Sequence, residues 1–512
     1  MAIFRVLFTR YLSVASRGRF YSSMSELRGL VLGAYASENE KINKLTPFAQ
    51  KYNEQLTSGK LLEQINVGGP LKVGQTRILW NSSAQYPVVA VAGLGDATSW
   101  DVLDGLDGVK ENVRIAAGAG VKALAAEKVA QIELEDFNKQ AEAAAEGATL
   151  ASYRFQEYKK PEARKTVPRV SLAQDCPGTE DFRRGETLAR AQNWSRLLME
   201  TPANLMTPTI FAEEAKKKLT PLGVEVVAHD QEWARSLGME SFLSVAKGSD
   251  EPPVFLEMTY KGAAQDQKPL CLVGKGITFD AGGISIKGSS KMDEMRADMG
   301  GGSVVVGTLA ALAELKAKVN VKAFVPLCEN LPSGRANKPG DVVRAMNGKS
   351  ICIDNTDAEG RLILADALCY AERFGPRYIV DLATLTGAIR VALGLCVTGA
   401  FSTSDELFNH LSSAGSKTGD RVWRMPIFKH YNTNMTDFSG YDLNNLGKGS
   451  GAGSCTAAAF LREFVPKNVP WMHLDIAGVM NGCDDQPYLV EKGMTGRPLR
   501  TLVEFIYREA GL

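Results

Sequence analysis

The stretch Asp354-Asn355-Thr356-Asp357-Ala358-Glu359-Gly360-Arg361-Leu362 places three carboxylates and one guanidinium within eight residues. A β-branched run, Ser350-Ile351-Cys352-Ile353, precedes it, and a mostly apolar run over residues 362–371 follows it. The first run predicts a buried strand and the second a buried helix. The acidic residues are therefore expected at the carboxyl end of a strand, where open α/β sheets place their ligand sites.

Asp357 and Glu359 would repel each other in such a turn unless a cation held them together. Oxygen-rich sites suit Mg²⁺, Mn²⁺ or Zn²⁺. Taken alone, the stretch is equally typical of an ordinary strand-to-helix turn, because Asn and Asp favour turns and early acidic residues complement the helix dipole. The rest of the chain has to decide between a metal site and a plain turn.

A second polar cluster lies upstream. Cys271-Leu272-Val273-Gly274 predicts a strand end, and residues 275–287 form a glycine-containing loop whose charged residues are Lys275, Asp280 and Lys287. Asp298 follows, just before three glycines and another apolar helix. The loop lacks the ending of a phosphate-binding P-loop, and no serine lies in a G-x-S-x-G motif. The two segments thus place acidic residues at two strand ends, together with one lysine and one arginine that are not needed as metal ligands. This is the set of residues that a two-metal hydrolytic site requires.

Composition narrows the class of protein. The chain has 512 residues and a formal net charge of +1, which predicts two or three domains and gives no sign of a nucleic-acid or membrane partner. No apolar run approaches the length of a membrane span. The eight cysteines are scattered without a CxxC pair, which predicts buried free thiols. With only four histidines, none within helical spacing of another, any metal must rely on carboxylates.

The alternation of strands and helices predicts an α/β fold with two domains. We expect a small N-terminal α/β domain over residues 26–180, a connecting helix over 181–203, and a larger C-terminal α/β domain over 204–512 with a central mixed sheet flanked by helices. Strands are predicted at residues 30–33, 88–93, 254–260, 270–273, 321–327, 351–353, 378–382 and 471–476. Helices are predicted at residues 109–134, 141–153, 180–200 and 303–318.

Residues 1–25 are predicted to be a mitochondrial transit peptide. The first 23 residues contain Arg5, Arg10, Arg17 and Arg19, and the first acidic residue is Glu26. An arginine-rich segment without acids is typical of such peptides. The alternative is an unstructured tail of a cytoplasmic protein. We therefore expect the mitochondrial matrix as the location, with the cytoplasm as the alternative.

The two polar clusters resemble the leucyl aminopeptidase family, also called the cytosol aminopeptidases, and are most similar to its animal cytosolic and mitochondrial members. Residues 355–362 match the family's octapeptide signature in full, and residues 275–287 and 296–301 match as well. The resemblance continues through residues 381–388 and 493–498 and is weaker over the first domain. It implies that the C-terminal domain is a metallopeptidase domain.

The resemblance also implies roles for individual residues. Two divalent metal ions, Zn²⁺ or Mn²⁺ or alternatively Mg²⁺, would be held by five ligands: Lys275, Asp280, Asp298, Asp357 and Glu359. Of these, Asp280 and Glu359 would bridge the ions. The catalytic residues would be Lys287, which stabilises the polarised carbonyl, and Arg361, which holds a bicarbonate ion as general base, while hydroxide generated at the metal pair attacks. Substrate would contact Lys287, Asp298, Thr384, Leu385 and Gly387, and its first side chain would lie in an apolar pocket of Met295, Ala477 and Met480.

The implied activity is the release of N-terminal, preferentially leucine-like residues from peptides by a homohexamer arranged as a dimer of trimers. The alternative is a catalytically weak structural or binding protein on the same hexameric fold. The presence of all seven polar site residues argues against the alternative, and the near-neutral net charge argues against DNA binding.

Overall fold

The computed structural model describes residues 27–37, 42–96, 100–101, 103–482, 484–489 and 493–511. The predicted transit peptide, residues 1–25, and Cys483 lie outside the described residues. The seven described cysteines are free thiols, and five of them are buried, as predicted. Within the described ranges no helix combines the length and the apolar character needed to cross a bilayer.

The first domain is built on a sheet of six described strands. Its order is Thr76–Trp80, Val88–Gly95, Arg28–Ser37, Gln131–Leu134 and Arg169–Leu172, with Ile42–Leu45 also paired to Arg28–Ser37. Side chains alternate between the two faces of the sheet. Leu30 and Leu32 pack with helices Pro47–Thr57 and Lys60–Val67, whereas Val31 packs with helices Gly108–Ala126 and Ala141–Ser152. The predicted small α/β domain is confirmed.

The second domain is built on a larger mixed sheet. Its centre is parallel, whereas Val254–Lys261 pairs antiparallel with both of its neighbours and Thr398–Ser402 pairs antiparallel with Trp471–Asp475. The order is Val422–Arg424, Thr398–Ser402, Trp471–Asp475, Ile379–Ala383, Leu270–Gly274, Asn320–Asn330, Val254–Lys261 and Glu225–His229, with Gly276–Asp280 paired to Asn320–Asn330.

Helices cover both faces of this sheet. Leu272 and Leu382 face one layer, formed by Pro208–Leu219, Gly300–Glu314, Asp405–Thr418 and Leu499–Glu509. Val273 and Ile379 face the other, formed by Glu240–Ala246, Gly360–Ala371 and Gly453–Arg462. The second domain also contains the helices Gln231–Ser236, Gly387–Leu393 and Lys429–Thr436. The predicted central mixed sheet flanked by helices is confirmed.

Two predicted elements differ from the structure. The helix expected over residues 109–134 ends at Ala126, and Gln131–Leu134 is a strand instead, because its alternate residues Ile132 and Leu134 are buried in the sheet beside Arg28–Ser37. The loop expected over residues 275–287 begins with the strand Gly276–Asp280, because the long neighbour Asn320–Asn330 offers free backbone groups beyond the end of Leu270–Gly274.

The strand before the acidic turn, Ser350–Ile353, is also not where the sequence suggested. It lies in a separate three-stranded sheet with Asp341–Arg344 and Leu443–Asn444. Its apolar run predicted a buried strand correctly, but such a run does not specify which sheet the strand joins. The acidic turn therefore reaches the carboxyl edge of the central sheet from outside that sheet.

The two domains are joined by a helix and by buried ion pairs. Helix Thr179–Glu200 packs against Ala141–Ser152 of the first domain and Gly300–Glu314 of the second. Beside it, the buried Glu146 carboxylate accepts hydrogen bonds from Arg114 at 2.5 Å and from Arg500 at 2.9 Å. One carboxylate of the first domain is thus shared between arginines of both domains.

Candidate active site

A cavity of about 540 Å³ opens at the carboxyl edge of the central sheet. Every residue that the sequence singled out as ligand, catalytic or substrate-binding lines this one cavity. They are Lys275, Asp280, Lys287, Met295, Asp298, Asp357, Glu359, Arg361, Thr384, Leu385, Gly387, Ala477 and Met480. The structure thus brings together residues that are up to 205 positions apart in the chain (480 − 275).

Different elements deliver the charged residues. Lys275 lies between strands Leu270–Gly274 and Gly276–Asp280, and Asp280 ends the second of these. Asp298 closes a 3₁₀ turn directly before helix Gly300–Glu314. Asp357 and Glu359 stand in the turn before helix Gly360–Ala371.

Glycine is required where this turn meets the lysine. A Cβ atom on Gly360 would lie 2.7 Å from Cε and 2.8 Å from Nζ of Lys275, so any side chain there would displace the ammonium group. At Gly282, φ is +91° and a Cβ would lie 3.0 Å from a carboxylate oxygen of Asp357. The glycines of both motifs therefore allow the two polar segments to approach each other closely.

Three carboxylates form the centre of the site. One oxygen from each of Asp280, Asp357 and Glu359 lies within 4.8 Å of the other two. The ammonium group of Lys287 lies 2.7 Å from Asp280 Oδ2 and also contacts Asp357. Asp280 is fixed further by hydrogen bonds from the Asn330 side chain, at 2.8 Å, and from a backbone N–H.

Lys275 and Asp298 form the other half of the site. Lys275 Nζ lies 2.7 Å from Asp298 Oδ2 and 2.8 Å from Glu359 Oε1, and it donates to the backbone carbonyl of Thr384 at 3.0 Å. Thr384 in turn donates its hydroxyl to Asp298 Oδ1 at 2.7 Å. Glu359 is thus the carboxylate shared between the two halves.

The site holds more negative charge than its lysines balance. Burial, together with repulsion from Asp280, raises the pKa of both Glu359 and Asp357, and burial likewise raises the pKa of Asp298. Burial alone would lower the pKa of Lys275, but the carboxylates of Asp298 and Glu359 outweigh it and raise that pKa above its ordinary value. A ligating Lys275 would therefore have to give up a proton that its neighbours stabilise.

These features fit a site for divalent cations. The donors are carboxylate oxygens and one amine, which suit Zn²⁺, Mn²⁺ and Mg²⁺. Among the described residues, the buried Glu359 Oε2 has no hydrogen-bond donor, although such an atom is costly to bury unpaired. A cation between Asp280, Asp357 and Glu359 would reduce the repulsion among these carboxylates and would give Glu359 Oε2 a partner.

Arg361 lies beside this cluster at the start of helix Gly360–Ala371. It is buried, and burial lowers the pKa of its guanidinium to about 10. One of its nitrogens donates to the backbone carbonyl of Asn445 at 2.6 Å, while Nε has no partner among the described residues. The guanidinium can therefore still donate to an anion in the cavity.

The remaining wall combines apolar side chains with an ordered loop. Met480 belongs to the buried core and Met295 packs against it, which gives the cavity an apolar side. In the loop, Asp475 accepts hydrogen bonds from the backbone N–H of Leu385 at 3.2 Å and from the hydroxyl of Thr386 at 2.6 Å. The cavity wall thus combines apolar side chains with a loop whose backbone is held by hydrogen bonds.

Known proteins share both halves of the chain. Residues 193–503 match the family model of the cytosol aminopeptidase family, catalytic domain, and residues 31–162 match that of its N-terminal domain. The chain is 50% identical to the cytosol aminopeptidase of Bos taurus over 94% of this chain and 92% of that protein. It is 49% identical to that of Homo sapiens over 96% of this chain and 94% of that protein.

The chain belongs to the cytosol aminopeptidase family.

A solved structure agrees with this assignment. The bottromycin maturation enzyme BotP has a TM-score of 0.79 and 31% identity to the chain, covering 95% of this chain and all of that one, and one of its structures is a complex with Mn. The chain is therefore an aminopeptidase, and the enzyme class that the octapeptide signature predicted is confirmed.

Three polar residues that support this aminopeptidase site were not predicted from the sequence. Asn330 holds Asp280, Asn445 contacts the acidic turn, and Asp475 orders the loop at Leu385. All three are buried. Asn330 and Asp475 each end an observed strand and lie close to the end of a predicted one, and a polar residue at that place is the one signal that could have indicated two of them.

Proposed function

We propose that the chain is a two-metal aminopeptidase that removes N-terminal, preferentially leucine-like residues from peptides. The observation that carries this proposal is the convergence of the Asp280, Asp357 and Glu359 carboxylates within 4.8 Å in a cavity that also contains Lys275 and Asp298. These five residues would hold two divalent ions, Zn²⁺, Mn²⁺ or Mg²⁺. Such ions lower the pKa of water and polarise a peptide carbonyl.

The protein's own groups would do the rest. The Asp298 carboxylate accepts hydrogen bonds from the free α-amine of the substrate, which restricts cleavage to the amino end. The ammonium group of Lys287 contacts Asp280 and Asp357. It would donate a hydrogen bond to the carbonyl oxygen of the scissile peptide bond as negative charge develops on that oxygen. Arg361 is the residue that would hold a bicarbonate ion as general base.

The proposed substrate preference is based on the residues that line the cavity. Thr384, Leu385 and Gly387 line the cavity and would border the peptide backbone of the substrate. Met295, Ala477 and Met480 would surround the first side chain with apolar atoms. A pocket of this composition favours leucine-like side chains, because burying a branched apolar side chain contributes about 1.5–3 kcal/mol.

The direct test counts bound metal and measures turnover in the same preparation. Purified protein dialysed against Mn²⁺ or Zn²⁺ should retain about two ions per chain and hydrolyse a leucyl amide. Asp357→Ala should retain fewer ions and lose most of its activity, whereas Asp266→Ala, an exposed acid outside the cavity, should match the unaltered protein.

Two outcomes would contradict the proposal. Full activity with one ion or none per chain would exclude the two-metal site. Two ions per chain without turnover of any leucyl substrate would favour the alternative of a catalytically weak structural protein.

Assembly and location form a separate part of the proposal. The homohexamer is proposed from the resemblance to the family, and the exposed side chains of Val391, Trp423 and Phe428 are candidates for its subunit interfaces. The arginines and missing acids of the first 23 residues support import into the mitochondrial matrix, with a cytoplasmic location as the alternative. Light scattering of the purified protein and imaging of the full chain beside one lacking residues 1–25 would test both.

A further inference from the structure

Arg390 is a charged residue of the cavity wall that the proposed mechanism leaves without a role. It lies on helix Gly387–Leu393, and Gly387, three residues earlier, lines the same cavity. Residues three apart share one face of a helix. Ile389, the residue before Arg390, is buried on an adjacent face of the helix, where a Cβ on Gly399 would lie 2.4 Å from its side chain. The helix therefore presents Arg390 to the cavity.

Among the described residues, no carboxylate forms an ion pair with Arg390. Lys275 and Lys287 are each paired with two carboxylates, and Arg361 donates to a backbone carbonyl. The Arg390 side chain makes no ion pair and no hydrogen bond to any residue in the described part of the chain. A guanidinium stays charged under all ordinary conditions, so it offers a fork of donors to whatever enters the cavity.

The position of Arg390 associates it with the first-residue pocket. A Cβ on Gly478 would lie 3.9 Å from Arg390 Cα, so the helix packs directly against the segment that carries Ala477 and Met480. Glu294, an acid that also lines the cavity, is already bonded by the Asn481 amide at 2.9 Å. Glu294 keeps its negative charge, but Arg390 is a cation beside the apolar pocket whose donors are not used by any described residue.

We propose that Arg390 binds a carboxylate on the side chain of the substrate's first residue, so that the enzyme accepts glutamyl as well as leucine-like amino ends. This inference rests on the proposed function, since it concerns the same pocket. An ionised side chain would be excluded from an apolar pocket without a counter-charge. Arg390 supplies that charge at the pocket's edge, where a guanidinium can bond a carboxylate through two parallel hydrogen bonds.

The test compares two substrates of nearly equal shape, an N-terminal glutamyl amide and the corresponding glutaminyl amide, both without a free C-terminus. The readout is the ratio of their kcat/KM values within one protein preparation, which does not depend on how much of a variant is folded. Arg390→Gln should lower the glutamyl-to-glutaminyl ratio about 10-fold, as loss of a charge-assisted bond predicts, and Arg390→Asp should lower it further.

Arg508→Gln is the matched control. It changes net charge equally but lies exposed on helix Leu499–Glu509, outside the cavity, so it should leave the ratio unaltered. An unaltered ratio in both Arg390 variants would overturn the inference. In a second arm, leucyl-glycine is compared with its C-terminal amide; an effect of Arg390 confined to this pair would assign the carboxylate to the peptide's C-terminus and also overturn it.

Failure of the underlying function looks different. If the unaltered protein hydrolyses no leucyl amide, the proposed leucine-preferring activity is wrong. If leucyl turnover is present and only the glutamyl-to-glutaminyl ratio fails to respond, the function stands and the role of Arg390 is wrong.

Discussion

Replacing Asn445 by alanine tests whether the acidic turn is held in place by a residue about 90 positions away in the chain. Asn445 is fully buried. Its Oδ1 accepts hydrogen bonds from the backbone N–H of Asp354 at 2.9 Å and of Asn355 at 3.3 Å, and its Nδ2 donates to the carbonyl of Asn355 at 2.6 Å. These bonds fix the backbone immediately before Asp357.

The size of the effect follows from these contacts. Alanine removes these three hydrogen bonds, each with a net contribution of about 0.5–1.5 kcal/mol. We expect the free energy of unfolding to fall by about 2–4 kcal/mol. Since loss of a group that orients metal ligands costs about 10- to 100-fold in affinity, the dissociation constant for Mn²⁺ should rise by that factor.

The assay needs a control that separates stability from metal binding, and Asn43 provides it. Asn43 is equally buried in the first domain, accepts from Leu71 N–H at 2.8 Å and donates to the Gly69 carbonyl at 3.0 Å. Asn43→Ala and Asn445→Ala should both lower stability in urea unfolding of the metal-free proteins. Only Asn445→Ala should weaken Mn²⁺ binding in calorimetric titration, and equal affinities of the two variants would refute the reasoning.

Three further predictions concern other parts of the molecule. Burial raises the pKa of Glu135 to about 8, so the protonated carboxyl stabilises the fold most below pH 4.5, and this stabilisation is lost as the pH rises to 8. Glu135→Gln does not titrate, so between pH 4.5 and 8 its free energy of unfolding should rise by about 4–5 kcal/mol relative to that of the unaltered protein, as measured by urea unfolding. Ala477→Leu should fill the pocket and lower the ratio of kcat/KM for leucyl over alanyl amides about 10-fold. Glu146→Gln should lower the free energy of unfolding by about 3–5 kcal/mol, because Arg114 and Arg500 are left buried without their shared carboxylate.

The sequence predicted the elements whose signal is local. The apolar run at Gly300–Glu314 and the strands Val254–Lys261 and Leu270–Gly274 appear within a few residues of their expected bounds, because burial on all sides leaves a continuous apolar pattern. The charged residues of the site were found for a related reason. Each lies in a short segment where glycine and acid occur together, and two such segments form a recognisable motif.

The supporting residues could not be found in the same way. Asn445 and Asp475 act on segments about 90 positions earlier in the chain, and no short-range pattern marks a hydrogen bond of that length. The sheet that Ser350–Ile353 joins is likewise decided by long-range pairing, with Leu443–Asn444. Arg390 resembles any basic residue near a helix end until the cavity beside it is known.

The helix between the domains belongs to the support of the active site. Every described residue that lines the cavity falls between Lys275 and Met480, so the first domain does not touch the substrate directly. Yet Glu200, at the end of helix Thr179–Glu200, accepts hydrogen bonds from Arg296 at 3.1 Å and from the backbone N–H of Met494 at 2.7 Å. Arg296 directly follows the pocket residue Met295. Because the first domain packs along this helix, it helps to hold the segment that carries the pocket residue Met295 in place.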